Sequence, residues 1–337
     1  MLLKPPFIIA EMSGNHNQSL EKALQIVDAA AKSGASALKI QTYTADTITL
    51  KGVFTINEPT SLWYGRDLHD LYQEAHTPWE WHKAIFERAK ERGIICFSSP
   101  FDETAVDLLE ELGNPIYKVA SFEINHIPLL KYIARTGKPV IMSTGASSLA
   151  EIEEAVKTLK ENGCNELVIL KCTSTYPATP ENSNIVTIPH LRDLFNCEVG
   201  LSDHTLGIGV AVASIALGAI VIEKHFCLNR SEGGVDSAFS LEPDEFKKLV
   251  EECNRAYLAK GGISYGILDD EAKVSAGKRS IYVSKDISAG ESITLNNIKV
   301  VRPGFGMHPR HFEEILGRKV SKDLAVGTPL SFDMLAN

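Results

Sequence analysis

Two lysines and four serines follow apolar runs, where a buried strand would reach solvent. Lys39 and Lys118 come directly after apolar residues, and an ammonium group is costly to bury without a partner or water. The serines with the same placement are Ser99, Ser121, Ser143 and Ser202. A lysine point charge together with short hydroxyl donors suits a phosphate group. The pattern predicts an anion site, with an internal ion pair of the lysines to Glu11 or Glu123 as the structural alternative.

Two histidines, His204 and His225, follow the last two of these runs. Imidazoles at neighbouring strand ends can share one divalent ion, with Glu11 and Asp236 as oxygen ligands or as groups around it. This mixture of donors favours Mn²⁺, Co²⁺ or Mg²⁺ over a closed structural zinc site. Sparse ligation would leave positions open for substrate and water, which suits Lewis-acid catalysis. The alternative is a hydrogen-bonded structural role for each histidine.

Eight apolar runs carry these residues, and each run ends abruptly in polar side chains. They cover residues 7–10, 37–38, 94–97, 116–117, 140–142, 167–170, 199–201 and 220–222. Helical patterns lie between them, and this alternation to about residue 258 requires parallel strands with helical crossovers. The number eight, the polar residues at every strand end and the lack of GxGxxG after the first run favour a (β/α)8 TIM barrel over a doubly wound sheet.

Two regions depart from this alternation. Residues 44–77 form a connection long enough for a lid or binding loop, and its Trp63 and Tyr64 could equally be a hydrophobic staple of that loop. From residue 280 the pattern changes to the short strands and turns of a small α+β or β-rich domain, whose core is marginal alone. The sequence therefore predicts a barrel over residues 1–258, a linker over 259–279 and a small domain over 280–337.

Composition narrows the possible partners. The chain has 337 residues and a net charge of −9 without a basic run, which gives nucleic-acid binding little support. The first apolar stretch is too short, and turns polar too soon, for a signal peptide or a membrane span. Six cysteines without a CxxC pair are typical of reduced thiols. We expect a cytoplasmic protein that binds neither nucleic acid nor membrane.

Short motifs along nearly the whole chain resemble the sialic acid synthase (NeuB-like) family. In order, they are IAEMSGNHN at 9–17, ALKIQT at 37–42, FSSPF at 97–101, YKVAS at 117–121, STG at 143–145, CTSTYP at 172–177, GLSDHT at 200–205, EKHF at 223–226 and VRPG at 301–304. Within the family, GVDSAFSLE at 234–242 and GFGMHP at 304–309 resemble the branch that makes pseudaminic acid. Val235 replaces a proline that is usual in the family, which bears on loop rigidity.

The resemblance implies a fold and a reaction. The family has a barrel followed by an antifreeze-like (SAF) domain, and it joins phosphoenolpyruvate to an amino-sugar aldehyde. In the pseudaminic branch the sugar is a 2,4-diacetamido-2,4,6-trideoxy-hexose of the L-altrose type. The family's domain-swapped homodimer places each SAF domain over the partner's active site, so the sugar's N-acyl group would be bound by the partner's Arg302.

The resemblance also assigns the remaining roles. His204 and His225 would bind the metal, most simply Mn²⁺, with Co²⁺ or Mg²⁺ as alternatives. Glu11, Glu123 and Asp236 would handle protons, and Gln41, Tyr176 and Asp236 would contact the sugar together with Arg302. The residues implied for phosphoenolpyruvate are Lys39, Ser99, Lys118, Ser121, Ser143 and Ser202.

Other functions stay open at this point. An N-acetylneuraminate or legionaminate synthase would use N-acetylmannosamine or a 2,4-diacetamido-trideoxy-mannose with the same residues. A Schiff-base aldolase would use Lys118 or Lys171 as its nucleophile. A sugar-binding protein without catalysis is a further alternative, but the many ionisable strand-end residues argue against it.

Overall fold

Strands and helices alternate through the first two thirds of the chain, in a computed structural model that describes residues 3–272 and 274–336. Met1, Leu2, Lys273 and Asn337, which fall in the predicted barrel, linker and C-terminal domain, lie outside the described residues. The chain divides into two units, Met1–Gly261 and Gly262–Asn337. The predicted boundaries at 258 and 280 stay a prediction.

The first unit contains a closed barrel of eight parallel strands. Each strand pairs with the next along the chain, and the eighth pairs with the first. The strands are β1 (Phe7–Glu11), β2 (Ala37–Thr42), β3 (Ile95–Pro100), β4 (Tyr117–Val119), β5 (Val140–Ser143), β6 (Leu167–Cys172), β7 (Glu198–Asp203) and β8 (Val221–His225). The predicted (β/α)8 barrel is therefore confirmed.

Helices connect the strands on the outside of the barrel. They are α1 (Leu20–Lys32), α2 (Ala45–Ile48), α3 (Leu68–Ala75), α4 (His82–Glu91), α5 (Glu103–Glu111), α6 (Ile127–Ala134), α7 (Leu149–Glu161), α8 (Thr187–Phe195), α9 (Gly209–Ala216) and α10 (Pro243–Lys260). Short 3-10 turns cover Trp79–Trp81, Ser121–Glu123, Pro180–Asn182, Arg230–Glu232 and Ser237–Phe239. The Ser148 hydroxyl and the Glu151 carboxylate form a capping box that starts α7.

The long connection after β2 is partly helical, whereas the sequence predicted a loop. Asp67 starts α3 by accepting hydrogen bonds from the backbone N–H groups of His69 and Asp70. The helix has only 8 residues, so its apolar positions are too few to show a helical period.

Alternate residues of each strand fill the inside of the barrel. The inner apolar cluster includes Phe7, Ile9, Ala37, Phe97, Ile116, Ile141, Val168, Leu170 and Val221. Gly200 is required on this inner face because a Cβ there would lie 2.3 Å from the Val221 carbonyl oxygen. The strand register then sets Glu11 level with both Lys39 and His225. Polar side chains therefore meet at one height, above the apolar cluster.

The second unit has a small core of its own. Its strands β9 (Ser280–Val283) and β10 (Ile298–Val301) pair antiparallel, and its helices are α11 (Asp269–Ala272) and α12 (Phe312–Ile315). Short 3-10 turns cover Ser275–Gly277, Pro309–His311 and Phe332–Met334. The buried cluster is built mainly of aliphatic residues, among them Ile281, Val283, Ile293, Ile298, Ile315 and Leu330. Across both units, none of the described helices is long and apolar enough to cross a membrane.

Candidate active site

A cavity of about 450 Å³ opens where the barrel strands end. Its lining includes the predicted residues Lys39, Gln41, Lys118, Ser121, Glu123, Ser143, Tyr176, Ser202, His204, His225 and Asp236. Glu11 and Ser99 are fully buried and bond to the wall residue Lys39. Arg302 belongs to the second unit, where it is exposed directly after β10. A larger cavity of about 740 Å³ lies at the opposite ends of β5, β6 and β7 and is lined by none of the predicted residues.

Lys39 is the centre of a buried ionic cluster. Its Nζ lies 3.3 Å from Glu11 Oε2 and 3.1 Å from Glu223 Oε1, and it donates to Ser99 Oγ at 3.4 Å. Burial opposes the charge on Lys39, but the two carboxylates outweigh it and raise the pKa of the ammonium group. The internal ion pair considered as an alternative is therefore present for Lys39 and Glu11. It leaves Lys118 as the more available cation.

Lys118 has hydroxyl and carbonyl partners. Its Nζ donates to Ser143 Oγ at 2.7 Å and to the Val119 carbonyl oxygen at 2.9 Å. Burial lowers the pKa of Lys118 to about 8, and the carboxylate of Glu223 acts in the opposite direction. Nearby, Ser121 Oγ accepts from the Gly145 N–H at 3.0 Å. A cation with hydroxyl groups at one end of a cavity is suited to an anionic ligand.

The buried carboxyl groups differ in charge. Burial raises the pKa of Glu11 to about 7 against the attraction of Lys39, and burial also raises the pKa of Glu123 to about 7. At Glu223 burial is outweighed by Lys118 and Lys39, which lower its pKa. Groups that titrate near neutral pH can exchange protons during a reaction. Glu11 and Glu123 therefore have the properties of general acids or bases, while Glu223 stays a charged partner.

The two histidine rings lie next to each other in the cavity wall. Their ring centroids are 5.3 Å apart. His204 Nδ1 lies 3.0 Å from the Thr173 carbonyl oxygen, which leaves Nε2 available, and among the described residues buried His225 Nδ1 has no hydrogen-bond partner. Burial, followed by the charge of His204, holds the pKa of His225 well below its usual value. A neutral ring with an unpaired nitrogen fits a metal ligand, with the Asp236 carboxylate 3.8 Å away.

A second possible metal-binding group lies outside this cavity. Ligand atoms of Asp67, His69 and Asp70 come within 4.8 Å of one another at the start of α3. Asp67 is already the helix cap, and His69 Nε2 lies 3.0 Å from Asp46 Oδ1. Asp67 and one nitrogen of His69 thus have structural partners, whereas buried His69 Nδ1 has none among the described residues and Asp70 is exposed. The cavity histidines remain the better candidates because they line the cavity together with the other predicted residues.

Aromatic residues form one side of the cavity. The Trp63 and Tyr176 rings are 5.9 Å apart, and Tyr176 lies 4.6 Å from the His204 ring. The Trp63 indole N–H donates to the Val235 carbonyl oxygen at 3.2 Å, whereas Tyr64 is exposed. Gln41 Nε2 donates to Glu11 Oε1 at 2.9 Å, so its amide is tied to the ionic cluster. The long connection thus supplies part of the cavity wall.

Sequence reasoning gave no role to Glu223 and no single role to Trp63. Glu223 bonds Lys39 and accepts from Ser202 Oγ at 3.4 Å. Its strand parity with His225 indicates that both lie on one face of β8, but parity does not show which cation Glu223 meets. Trp63 was left between two interpretations, since a single loop residue carries no periodic signal.

Comparison with known proteins agrees with the geometry. The chain matches the NeuB family over residues 26–265 and the SAF domain over residues 278–336. This protein belongs to the NeuB family.

Named relatives and one solved structure show how the chain compares within the NeuB family. It is 47% identical to a pseudaminic acid synthase of Campylobacter jejuni over 97% of this chain and 96% of the relative. It is 41% identical to the Helicobacter pylori pseudaminic acid synthase, over 98% of each chain. A crystal structure of the N-acetylneuraminic acid synthetase of Leptospira borgpetersenii, in complex with citrate, matches with a TM-score of 0.73 and 32% identity, over 80% of this chain and 90% of that one.

Proposed function

We propose that this chain condenses phosphoenolpyruvate with a 2,4-diacetamido-2,4,6-trideoxy-hexose of the L-altrose type and water, giving pseudaminic acid and phosphate. The near full-length similarity to pseudaminic acid synthases carries the proposal. The lining of the cavity supports it, because part of this lining is apolar and suits a deoxy methyl group and acetyl methyl groups. This part is formed by Ile48, Ile56, Leu68 and Leu71.

Phosphoenolpyruvate is proposed to bind at the lysine and serine side of the cavity. Lys118 and Ser143 are already within hydrogen-bond distance of each other, so a phosphate or carboxylate oxygen that enters the cavity can accept hydrogen bonds from both. Lys39, Ser99, Ser121 and Ser202 complete the proposed set. The cation at Lys39 is partly neutralised by Glu223, and this makes Lys118 the main attraction for the anion.

His204 and His225 are proposed to hold a divalent metal ion, for which Mn²⁺ is the first choice. Such an ion would supply Lewis-acid polarisation of the sugar's aldehyde. The protein residues orient the reactants: Tyr176, Gln41 and Asp236 contact the sugar, so that its C1 faces the enol carbon of phosphoenolpyruvate. Excluding water from the cavity strengthens these charged contacts.

The proposed bond changes assign a proton transfer to each of the two carboxyl groups whose pKa is raised. The enol carbon forms a bond to sugar C1, and water adds to C2 of the phosphoenolpyruvate part. Glu123, in its protonated form, gives a proton to the former aldehyde oxygen, and Glu11 takes a proton from the attacking water, so that C2 carries both a hydroxyl group and the phosphate ester. The C2–O bond to phosphate then breaks: Glu123 takes the proton of the C2 hydroxyl as the ketone forms, and Glu11 returns its proton to the departing phosphate oxygen. Both carboxyls have a pKa raised to about 7, as such proton exchange requires.

The reaction is tested by following phosphate with a panel of sugars. The panel contains N-acetylmannosamine and the 2,4-diacetamido-trideoxy-hexoses of altro and manno configuration, and His225→Ala is the control. Release of phosphate with the altro sugar supports the proposal, and release with N-acetylmannosamine alone would favour the alternative suggested by the similarity to the Leptospira enzyme. With ¹⁸O in the bridging oxygen of phosphoenolpyruvate, C–O cleavage predicts labelled phosphate.

The Schiff-base alternative has a separate test. Lys118 is the candidate nucleophile in the cavity, and borohydride in the presence of pyruvate would trap it covalently. The condensation predicts no adduct by mass spectrometry.

We also propose the domain-swapped homodimer, in which Arg302 of one protomer binds the sugar's N-acyl group in its partner's cavity. A cytoplasmic location is proposed with it, and the six free cysteines agree with a reducing compartment.

A further inference from the structure

An ion pair is buried on the outer face of the barrel, behind the two histidines. Lys224 Nζ lies 2.7 Å from Asp203 Oδ2, and their side chains are 0% and 2% exposed. Asp203 directly precedes His204, and Lys224 directly precedes His225. Since alternate strand residues point to opposite faces, the histidines face the cavity while the ion pair lies between sheet and helices.

Stability alone does not account for this pair. Removing two charges from water costs about as much as their attraction returns, and a well-packed apolar pair is often at least as stable. The ion pair does, however, fix geometry, because each of its hydrogen bonds requires one arrangement of the neighbouring backbone.

That backbone surrounds His204. Asp203 Oδ1 accepts from the Thr205 N–H at 2.9 Å and from its hydroxyl at 2.8 Å, which closes an Asx-turn around His204. Lys224 Nζ donates to the Thr205 carbonyl oxygen at 2.6 Å. Both residues that flank His204 are therefore bound to the residue that precedes His225.

We infer that Asp203 and Lys224 are positioning residues, which hold the His204 and His225 rings at the separation needed to share one divalent ion. This inference rests on the proposed role of the two histidines as metal ligands. It predicts that the ion pair acts on metal affinity and ring separation, beyond any contribution to folding.

Direct binding of Mn²⁺ to the full-length protein tests the inference. The variant Lys224→Met keeps a long unbranched side chain but removes the ammonium group. We expect its Kd for Mn²⁺, measured by electron paramagnetic resonance, to rise about tenfold or more. The matched control is Ile222→Ala, since Ile222 is buried on the same outer face of β8 and has no part in the turn. It should lower Tm while leaving the Kd within about twofold of the wild type.

A second variant covers the case in which Lys224→Met does not fold. The double variant Asp203→Leu/Lys224→Met replaces the pair by apolar side chains, and it should fold yet bind Mn²⁺ as weakly as the single variant. A folded variant with wild-type Mn²⁺ affinity would overturn the inference.

Metal-free crystal structures separate this inference from the proposed function. We expect the 5.3 Å separation of the His204 and His225 ring centroids to change by about 1 Å in Lys224→Met or the double variant. An unchanged separation would overturn the positioning role. Mn²⁺ affinity that is unaffected by His225→Ala would instead contradict the proposed metal site and leave the ring separation as the deciding measurement.

Discussion

Lys118 combines a buried position with neutral hydrogen-bond partners, so its charge depends on pH. Burial lowers its pKa to about 8, and the ammonium form is present below that value. We predict that the KM for phosphoenolpyruvate is constant below pH 8 and then rises up to about tenfold per pH unit, as the proposed cation is lost. Steady-state kinetics between pH 6.5 and 9.5 would show this bend.

Lys118→Arg is the matched control for that profile. Arginine stays protonated over the whole range, so the bend should disappear even if the KM is higher throughout. A bend that persists in Lys118→Arg would show that another group causes it.

Glu123 permits a test that is independent of turnover. Its carboxyl oxygen Oε2 is buried with no hydrogen-bond partner among the described residues, and burial raises its pKa from 4.5 to about 7. A raised pKa means that the folded state binds the proton more tightly. The stability contributed by Glu123 is therefore complete below about pH 4.5 and is lost as pH rises through about 7.

We accordingly predict that the free energy of unfolding of Glu123→Gln, relative to that of the wild type, increases on going from pH 5 to pH 8. The increase should be on the order of 1–3 kcal/mol, because only the wild type loses the contribution of the protonated carboxyl group. Urea unfolding at the two pH values measures the difference. Glu154→Gln, an exposed change on α7, controls for the general loss of one charge. An equal shift in both variants would contradict the burial argument.

Among the elements, the long connection after β2 matters most for the proposed sugar side of the cavity. Trp63 reaches Tyr176 by ring contact and Val235 by a hydrogen bond, so one side chain links this connection to the segments after β6 and β8. We predict that Trp63→Ala raises the KM for the sugar about five- to tenfold, because Tyr176, a proposed sugar contact, loses a ring contact worth about 1–1.5 kcal/mol. The KM for phosphoenolpyruvate should stay unchanged.

Two variants sharpen this prediction in the same kinetic assay. Trp63→Phe keeps a ring but removes the bond to Val235, and its effect should be smaller than that of Trp63→Ala. Tyr64→Ala changes an exposed aromatic residue next to Trp63 and should behave as the wild type. If Tyr64→Ala and Trp63→Ala raise the sugar KM equally, the cause is a general disturbance of the connection rather than the loss of a side chain from the cavity wall.

Element by element, the barrel could be predicted because every strand is a short apolar run that ends in polar residues. The positions of Lys39 and His225 at the ends of such runs then predicted that both lie where the strands open. The ion pair of Lys39 with Glu223 could not be chosen from sequence over a pair with Glu123, because which carboxylate lies nearer depends on barrel closure. The helix α3 was missed, and Trp63 was left between two interpretations, for another reason: their positions depend on a cap and on contacts that leave no periodic pattern.

At the scale of the whole molecule, the first unit holds the proposed lysines, serines and histidines, and the second unit holds Arg302. The second unit has its own small buried core, and Arg302 is exposed at the end of β10. In the proposed domain-swapped homodimer, each cavity would need Arg302 from the partner chain.

Mixed dimers test that claim. Arg302→Ala and His225→Ala are each expected to reduce turnover strongly as homodimers, through a lost charged hydrogen bond to the sugar and a lost metal ligand, respectively. If the cavities are shared, a purified heterodimer of the two variants has one complete cavity, formed by His225 of one chain and Arg302 of the other. It should recover about half of the wild-type rate per dimer. If Arg302 serves its own barrel, each protomer carries one defect and the heterodimer stays as inactive as the homodimers. Differently tagged protomers, purified in two affinity steps and checked for dimer mass by light scattering, make the two outcomes distinguishable.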